Sequence, residues 1–193
     1  LYDALVSRLP GALGQKFDKT VFGGVDKPGS DFDNFAAITA QSLASDPYAG
    51  LVAADTDIAI NGGILNGFVL APQGKGVLLG ATDGDDRPLF INNVAEGAIP
   101  MILGARTEVS KGAYVSGSPQ VVGFAGDWTQ AMYGIVEGVK IDFSSDASLT
   151  LGNGTTINLF QRNMFAVRAE IEIGFRADTT VFNKLTATGV PTL

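Results

Sequence analysis

The most regular alternation of hydrophobic and polar positions lies near the end of the chain, from Phe165 onward. Apolar residues occupy the odd positions of segment 165–176, whereas Arg168, Glu170, Glu172 and Arg176 occupy even ones. A period of two places these two sets on opposite faces of an extended strand. The pattern therefore predicts one long strand with a buried apolar face. Its charged face is suited to ion pairs with a neighbouring strand or another subunit.

A second periodic segment opens the chain. Its apolar residues recur at every fourth position: Leu1, Leu5, Leu9, Leu13 and Phe17. This spacing predicts a helix that runs to about Phe22. Pro10-Gly11 should kink or interrupt the helix, and Gly23-Gly24 should end it.

Helix and strand signals are mixed in the first two thirds of the chain. Asp46-Pro47 predicts the start of a helix that runs to about Ile60, because Asp is a good N-cap and Pro fits the first helical position. The other predicted elements are a loop over 25–33, a buried strand over 67–71, a helix over 72–79, a turn over 83–88, an extended stretch over 89–91 and a buried strand over 99–105.

Consecutive strands dominate the last third. The predicted strands are 121–124, 130–137, 139–143, 165–176 and 179–186. Gly138 should separate strand 130–137 from strand 139–143 or mark a bulge. The polar segment 144–156 should form a loop or hairpin end. A helix, then mixed units, then strands predict an α+β fold in two subdomains.

Composition narrows the class of protein. The 193 residues are 46% hydrophobic and 17% charged, with a net charge of -7 and no Cys or His. An acidic balance argues against general nucleic-acid binding, which needs a basic patch. No apolar run is long enough for a membrane span. Because the chain begins with Leu inside a helical pattern, we expect a fragment whose N-terminal part is missing.

The candidate chemistry is sparse. Without His, no Ser-His-Asp triad or His-ligated zinc site is possible within this chain. Glu170 and Glu172 share a strand face, which allows a glycosidase-like carboxylate pair, although two exposed carboxylates are the commoner arrangement. Trp128 and Tyr133 fit core or interface anchors. We predict no cofactor, metal or small-molecule substrate, and no enzymatic activity.

Four segments carry a resemblance to a known family. They are the helix end with FGG at 22–24, NGFVLAP at 66–72 followed by the turn and RPLF at 87–90, GFAGDW at 123–128, and segment 163–176 followed by TVFNKL at 180–185. In this order they resemble the major capsid proteins of tailed bacteriophages, which have the Hong Kong 97 type capsid fold. The N-terminal arm and extended loop of that family have no counterpart here.

The resemblance implies two subdomains with different roles. An axial domain, 36–137 plus 178–193, would meet its copies around five- and six-fold axes. A peripheral domain, 1–35 plus 138–177, would hold the spine helix and the long strand, and would meet neighbours at three-fold contacts. The interface candidates are Arg168, Glu170, Glu172, Arg176, Trp128 and Tyr133.

A covalent cross-link is a second implication of the resemblance. Some family members join a Lys to an Asn of another subunit with the help of a Glu. Asn163 and Glu170 fall where that Asn and Glu would lie, and the Lys would come from the absent loop. Their odd spacing would place them on opposite faces of one strand, and ordinary polar contacts are the alternative role for both residues.

The function that we expect from this resemblance is structural. The chain would be a major capsid subunit that self-assembles, as pentamers and hexamers, into an icosahedral shell around a phage genome. It would contact DNA without sequence specificity, bind no membrane, and pass from the bacterial cytoplasm into the virion. The alternatives are the shell protein of an encapsulin-type nanocompartment, a carboxylate-dependent hydrolase using Glu170 and Glu172, and a binding domain with a ligand pocket beneath Trp128.

Overall fold

The structure is a computed structural model that describes residues 6–89 and 101–191. Within these ranges the helices are α1 (Leu9–Gly23), α2 (Pro47–Ile60) and α3 (Pro72–Leu79). The strands are β1 (Thr39–Ser42), β2 (Gly67–Leu70), β3 (Met101–Ile102), β4 (Ala105–Val109), β5 (Gln120–Gly126), β6 (Ala131–Ser144), β7 (Ser148–Thr150), β8 (Thr156–Asn158), β9 (Ala166–Ala177) and β10 (Phe182–Ala187). The predicted mixture of helix and strand is confirmed.

The chain divides into two compact units. The smaller unit comprises Leu1–Gly14 and Gly134–Gly174, and the larger unit comprises Gln15–Tyr133 and Phe175–Leu193. The predicted boundaries were near residues 35, 137 and 177, whereas the observed ones follow Gly14, Tyr133 and Gly174. The first boundary differs most, because most of α1 and the loop after it belong to the larger unit. The axial and peripheral roles of the two parts remain predictions.

A six-stranded mixed sheet organises the larger unit, with the strand order β1-β10-β5-β2-β4-β3. Strand β10 pairs in parallel with β1 and antiparallel with β5, and β2 pairs antiparallel with β5 and in parallel with β4. The predicted final strand therefore lies inside the sheet, between two strands that are distant in sequence. The short polar strand β1 (TAQS) was not predicted, because it lacks an apolar alternation.

Aromatic side chains form the centre of the larger unit. The ring of Phe35 is fully buried and lies 4.6 Å from Phe182, 5.6 Å from Phe175 and 6.0 Å from Phe124, measured between ring centroids. Phe22, at the end of α1, stacks on Phe124 at 4.7 Å. The apolar stripe of α1 thus ends in the core of the larger unit.

The helix boundaries follow local sequence signals. The side chain of Asp46 accepts a hydrogen bond from the backbone N–H of Ala49, and Pro47 opens α2, as predicted. Helix α1 begins at Leu9, so Pro10 lies in its first turn, where a missing N–H costs little. The predicted helical residues 1–5 lie outside the described residues.

The prediction of one buried strand over 99–105 is wrong for the part that the structure describes. Met101–Ile102 and Ala105–Val109 are two antiparallel strands joined by a tight turn. Leu103 and Gly104 form this turn with φ angles of 49° and 79°, a conformation that an extended strand does not contain. Residues 99 and 100, and the predicted extended residues 90 and 91, lie outside the described residues.

The described strands of the smaller unit form two separate two-stranded sheets, one of long strands and one a short hairpin. Strands β6 and β9 pair in a two-stranded sheet, and β7 and β8 pair antiparallel between them in sequence. The predicted break at Gly138 is wrong, because β6 runs without interruption from Ala131 to Ser144. The hairpin spans residues 148–158 and so overlaps most of segment 144–156, for which a loop or hairpin end was predicted.

The long strand that alternation predicts is present as β9, but its apolar face is not buried as a whole. Phe175 is buried at the end of β9 that belongs to the larger unit. Val167, Ala169, Ile171 and Ile173 are half-buried, and Phe165 is exposed. The prediction of a strand from the alternation is therefore correct. The prediction that its apolar face is buried is correct only in part.

Candidate assembly surface

A cluster of four charged side chains defines one face of the sheet in the smaller unit. Nη2 of Arg168 lies 2.8 Å from Oδ2 of Asp142 and 3.3 Å from Oε1 of Glu170. Nζ of Lys140 lies 3.8 Å from each of the same two carboxylates. Because Lys140 and Asp142 are on β6 and the other two are on β9, these contacts cross the pair of strands. We call these four residues the charge cluster.

The electrostatics of the charge cluster favour its ionised state. The hydrogen bond from Arg168, with the nearby Lys140 ammonium, lowers the pKa of Asp142. The same hydrogen bond to Asp142 and the charge of Glu170 raise the pKa of Arg168. All four side chains are at least partly open to solvent, so their mutual attraction contributes little to stability.

The opposite face of this sheet is largely apolar, although the exposed Glu137 of β6 also lies on it. Since even-numbered residues of β6 and β9 meet in the charge cluster, odd-numbered residues share the other face. Within the smaller unit, these odd positions include Ile135, Val139 and Phe143 on β6, which are exposed, and Ile171 and Ile173 on β9, which are half-buried. We call these residues, together with Val167 and Ala169, the apolar face.

Exposed hydrophobic residues extend beyond the apolar face. Val136, on the other face of β6, is 76% exposed. The hairpin and the segment after it expose further large apolar side chains: Leu149, Leu151, Phe160, Met164 and Phe165. Exposed hydrophobic positions in such number are typical of a surface that another protein covers.

The four charged residues predicted for an interface have different surroundings in the structure. Arg168 and Glu170 belong to the charge cluster, and Glu172 is exposed on β9. Arg176 lies in the larger unit, where its Nε is 3.3 Å from Oδ2 of Asp33 and its Nη1 donates to the carbonyl of Asp31 at 3.3 Å. Only part of the predicted charged face is therefore engaged across the strand pair, and its role as an interface stays a prediction.

Trp128 and Tyr133 have different environments in the larger unit. Trp128 is half-buried, lies edge-on to Phe182 at 5.2 Å, and donates from Nε1 to the carbonyl of Gly67 at 3.0 Å. Tyr133 is 67% exposed. Trp128 thus completes the aromatic core, whereas Tyr133 is available for contact with another molecule.

A shallow depression of about 300 Å³ lies beside Trp128 and is bordered by Asn66, Val69, Arg106 and Glu108. Arg106 and Glu108 pair with each other at 2.7 Å across its rim. Phe68 and Trp128 are its aromatic lining residues, and the depression is open to solvent. Its form gives little support to the predicted binding domain with a ligand pocket beneath Trp128.

Asn163 and Glu170 are not placed as the sequence predicted. Asn163 lies before β9, at the end of a single 3-10 turn, with a φ of 51°. The prediction that both residues lie on one strand and point to opposite faces is therefore wrong. Glu170 lies among cations rather than in the apolar setting that a catalytic base needs. The cross-link itself stays a prediction.

Catalytic or metal-binding groupings are not evident in the part of the chain that the structure describes. Glu170, one half of the possible carboxylate pair, is held by Arg168 and Lys140, and Glu172 faces solvent. No group of three or more metal-ligating side chains occurs among residues 6–89 and 101–191. None of the helices described there has the length and apolar character needed to cross a bilayer.

Sequence reasoning missed two features of this region. Lys140 and Asp142 complete the charge cluster, and a signal for them exists in the alternation of Lys140, Ile141, Asp142 and Phe143. The other is Asp127 of the larger unit, whose carboxylate accepts hydrogen bonds from Ile64, Asn66 and Thr129. These bonds lower the pKa of Asp127, and the one from the Thr129 hydroxyl has the largest effect on it.

Comparison with known proteins places this fold among viral shells. The model of the family described as "Phage capsid family" matches residues 3–179. Two curated relatives are named "Probable major capsid protein gp17": that of Mycobacterium phage D29 is 30% identical and that of Mycobacterium phage L5 is 31% identical. Each match covers 91% of this chain but only 58% and 59% of the relatives, so the chain spans less than two thirds of their length.

Solved structures share the same architecture. A chain from Microbacterium phage Oxtober96 has a TM-score of 0.73 at 20% identity, with coverage of 97% of this chain and 66% of its own length. A chain from Mycobacterium phage Adephagia has a TM-score of 0.69 at 21% identity, with coverage of 94% and 63%. At these identities the likeness concerns the fold, which is of the Hong Kong 97 type.

Proposed function

Since the chain belongs to the phage capsid family, we propose that it is part of a major capsid subunit whose copies self-assemble into an icosahedral shell around a phage genome. The names of the two curated relatives support this proposal, as does the match of the family model to most of the chain. The role is structural, and the protein performs no chemical turnover.

The observation that carries the proposal is the open sheet of the smaller unit. Among the described residues no third strand pairs with β6 or β9. Two strands alone are marginally stable in water, and unpaired edges invite another strand or chain. Exposed apolar residues on both faces of β6 add to this incompleteness. A neighbouring subunit that covers this region would complete it, as a shell requires.

The two compact units support a division of roles. We assign the larger unit to the axial domain, which would meet its copies around five- and six-fold axes in pentamers and hexamers. We assign the smaller unit to the peripheral domain, with three-fold contacts. Closed rings need two different, complementary surfaces on each subunit. Tyr133, Glu172 and the charge cluster are the residues that we propose for such contacts.

The shell would enclose the genome without recognising its sequence. The net charge of -7 argues against tight binding of the DNA phosphates, so we propose that the shell encloses DNA with weak contacts that have no sequence specificity. The subunit would be made in the cytoplasm of a bacterial host and would end in the virion. A nanocompartment shell remains the alternative within this fold, but the curated relatives are named as capsid proteins, which favours the phage shell.

Electron microscopy of the expressed protein, at the full length that its gene encodes, tests the proposal. We expect closed particles of uniform diameter that contain nucleic acid when they are taken from phage lysates. Uniform particles filled with a cargo protein would favour the nanocompartment. Monomers or small discrete oligomers under all assembly conditions would contradict both forms of the proposal.

Two variants test whether the open sheet is the assembly surface. Val136→Lys places a charge at a position that is already exposed, so the subunit should fold normally while particles are lost. Ser148→Lys adds the same charge to an exposed polar position of the hairpin and should leave particle yield close to normal. Equal yields from the two variants, measured by sedimentation, would contradict the role assigned to β6.

A further inference from the structure

The sequence contains three Asn-Gly pairs, at 61–62, 66–67 and 153–154. In such a pair the backbone nitrogen of Gly can attack Cγ of the Asn side chain, because Gly has no Cβ to shield the nitrogen or restrict the bend. A bond forms between this nitrogen and Cγ, the bond from Cγ to Nδ2 breaks, and Nδ2 leaves as ammonia with the proton of the amide. Water then opens the cyclic imide to give aspartate or isoaspartate.

The third pair lies at the tip of the hairpin formed by β7 and β8. The N–H of Leu151 donates to the carbonyl of Thr155 at 2.9 Å, and the N–H of Gly154 donates to the carbonyl of Leu151 at 2.9 Å. These bonds close a loop over 152–154, with Gly154 at a φ of 81°. Every residue from 151 to 155 is exposed, so solvent reaches the pair and fraying of one short loop releases the nitrogen of Gly154.

The side chain of Asn153 is held in a way that favours attack on Cγ. Its Oδ1 accepts a hydrogen bond from the backbone N–H of Thr155 at 3.0 Å. Attack by the nitrogen of Gly154 transfers negative charge to this oxygen in the tetrahedral intermediate. A donor that is already aimed at the oxygen stabilises that charge, by the same physics as the oxyanion hole of an enzyme.

The pair at 66–67 has a similar donor but lacks the freedom to react. Oδ1 of Asn66 accepts from the N–H of Trp128 at 2.9 Å, and its Nδ2, the leaving group, donates to Asp127 at 2.7 Å. Gly67 is buried in β2 between β4 and β5, and a Cβ there would lie 2.6 Å from the ring of Trp128. Cyclisation would have to move this nitrogen against the packed sheet.

The pair at 61–62 is an intermediate case at the end of α2. Asn61 is exposed, but its backbone N–H and its Nδ2 both donate to the carbonyl of Asp57, at 3.1 and 2.8 Å. Gly62 is exposed, whereas Gly63 is packed so closely that a Cβ there would lie 2.8 Å from Val181. The helix end therefore restrains this pair more than the hairpin restrains Asn153.

We propose that Asn153 is a site of spontaneous chemical modification, at which its side-chain amide cyclises onto Gly154 and hydrolyses to aspartate or isoaspartate while the chain stays folded. The product adds one negative charge to a chain that already carries -7. Isoaspartate also lengthens the backbone of the loop. The proposal concerns the hairpin alone and holds whatever role the chain has in a shell.

Mass spectrometry of the purified, folded chain tests the proposal. The chain is incubated in a mildly alkaline buffer, which promotes loss of the amide proton, and is then digested so that fragment ions assign each Asn. We expect Asn153 to convert about tenfold faster than Asn66, equivalent to a barrier that is lower by about 1.4 kcal/mol, with Asn61 between them. An acidic form should accumulate on ion exchange at the rate measured for Asn153.

Two glycines of the same loop provide matched variants. Gly154→Ala should slow the conversion of Asn153 severalfold, because a Cβ shields the attacking nitrogen and the φ of 81° disfavours Ala. Gly152→Ala adds a methyl group in open space on the other side of Asn153 and should leave the rate unchanged. Equal slowing by the two variants would contradict attack by Gly154.

Incubation in urea separates the effect of the fold from that of the local sequence. Unfolding removes the restraints on Asn61 and Asn66, so the rates of the three pairs should converge. The proposal is overturned if Asn153 stays unmodified in the folded chain, if Asn61 or Asn66 converts as fast as Asn153 there, or if the full advantage of Asn153 persists in urea. This readout does not require any variant to fold.

Discussion

The two compact units differ in how far they bury their large hydrophobic side chains. The larger unit buries its aromatic residues against one another, with Phe35 and Phe182 stacked at 4.6 Å beneath a six-stranded sheet. The smaller unit leaves Val136 and Phe160 each 76% exposed beside a sheet of only two strands. The difference teaches that the first unit gains its stability from its own packing, whereas the second has apolar surface that the described residues leave uncovered.

The sharpest test of this comparison exchanges one phenylalanine in each unit for alanine. Phe35→Ala should lower the free energy of unfolding by about 3–5 kcal/mol, because it removes the ring at the centre of the aromatic core. Phe160→Ala, at an exposed position, should change it by less than about 0.5 kcal/mol. Urea denaturation of the unassembled chain measures both. Similar losses from the two variants would contradict the comparison.

A smaller loss is expected from the buried carboxylate of the larger unit. Asp127→Ala removes the acceptor for the Thr129 hydroxyl at 2.6 Å, for Nδ2 of Asn66 at 2.7 Å and for the N–H of Ile64 at 3.1 Å. Because the donors are left without a partner, we expect a loss of about 1–3 kcal/mol in the free energy of unfolding. Asp55→Ala, on the exposed surface of α2, is the matched control and should have little effect.

The same carboxylate should make the larger unit sensitive to acid. Its pKa in the folded chain lies below the ordinary value of 3.8, chiefly because the Thr129 hydroxyl donates to it. The stabilisation is therefore fully present above the unfolded pKa and is lost as the pH falls through the folded one. Melting temperatures of the native chain should fall more steeply below pH 4 than those of Asp127→Asn. Parallel curves would show that Asp127 does not supply this sensitivity.

The smallest effect is expected from the exposed ion pairs, which both units possess. Arg168→Gln removes the centre of the charge cluster, and Arg106→Gln removes the pair with Glu108 in the larger unit. Solvent screens both sites, so neither variant should move the melting temperature of the unassembled chain appreciably. Added salt should make any difference in melting temperature between each variant and the native chain smaller still. A large loss from Arg168→Gln alone would mean that the smaller unit is stabilised by its charges.

Local signals in the sequence were sufficient for the helices. Asp46-Pro47 predicts the start of α2 because the cap and the first turn involve only neighbouring residues. Gly23-Gly24 predicts the end of α1 for the same reason, and Gly24 has the positive φ of a helix terminus. The alternation over 165–176 likewise predicts β9, since the period of a strand is a local property.

Features that depend on distant partners could not be predicted in this way. Strand β1 is polar and is held by β10, with Thr39 opposite Asn183. The pairing of Asp142 with Arg168 joins residues on two strands, and the alternation within each strand shows which residues share a face but not which strand lies beside it. The expected burial of the apolar face failed because alternation predicts which residues share a face, but not what covers that face.

The position of β10 has a consequence for the way this protein is made. Residues 182–187 are synthesised after all the other strands, yet they lie between β1 and β5. On the ribosome, β1 therefore has no partner strand in this sheet until residues 182–187 emerge and insert between it and β5. A product that terminates before residue 182 would lack the strand that joins β1 to β5, so it could not complete the six-stranded sheet.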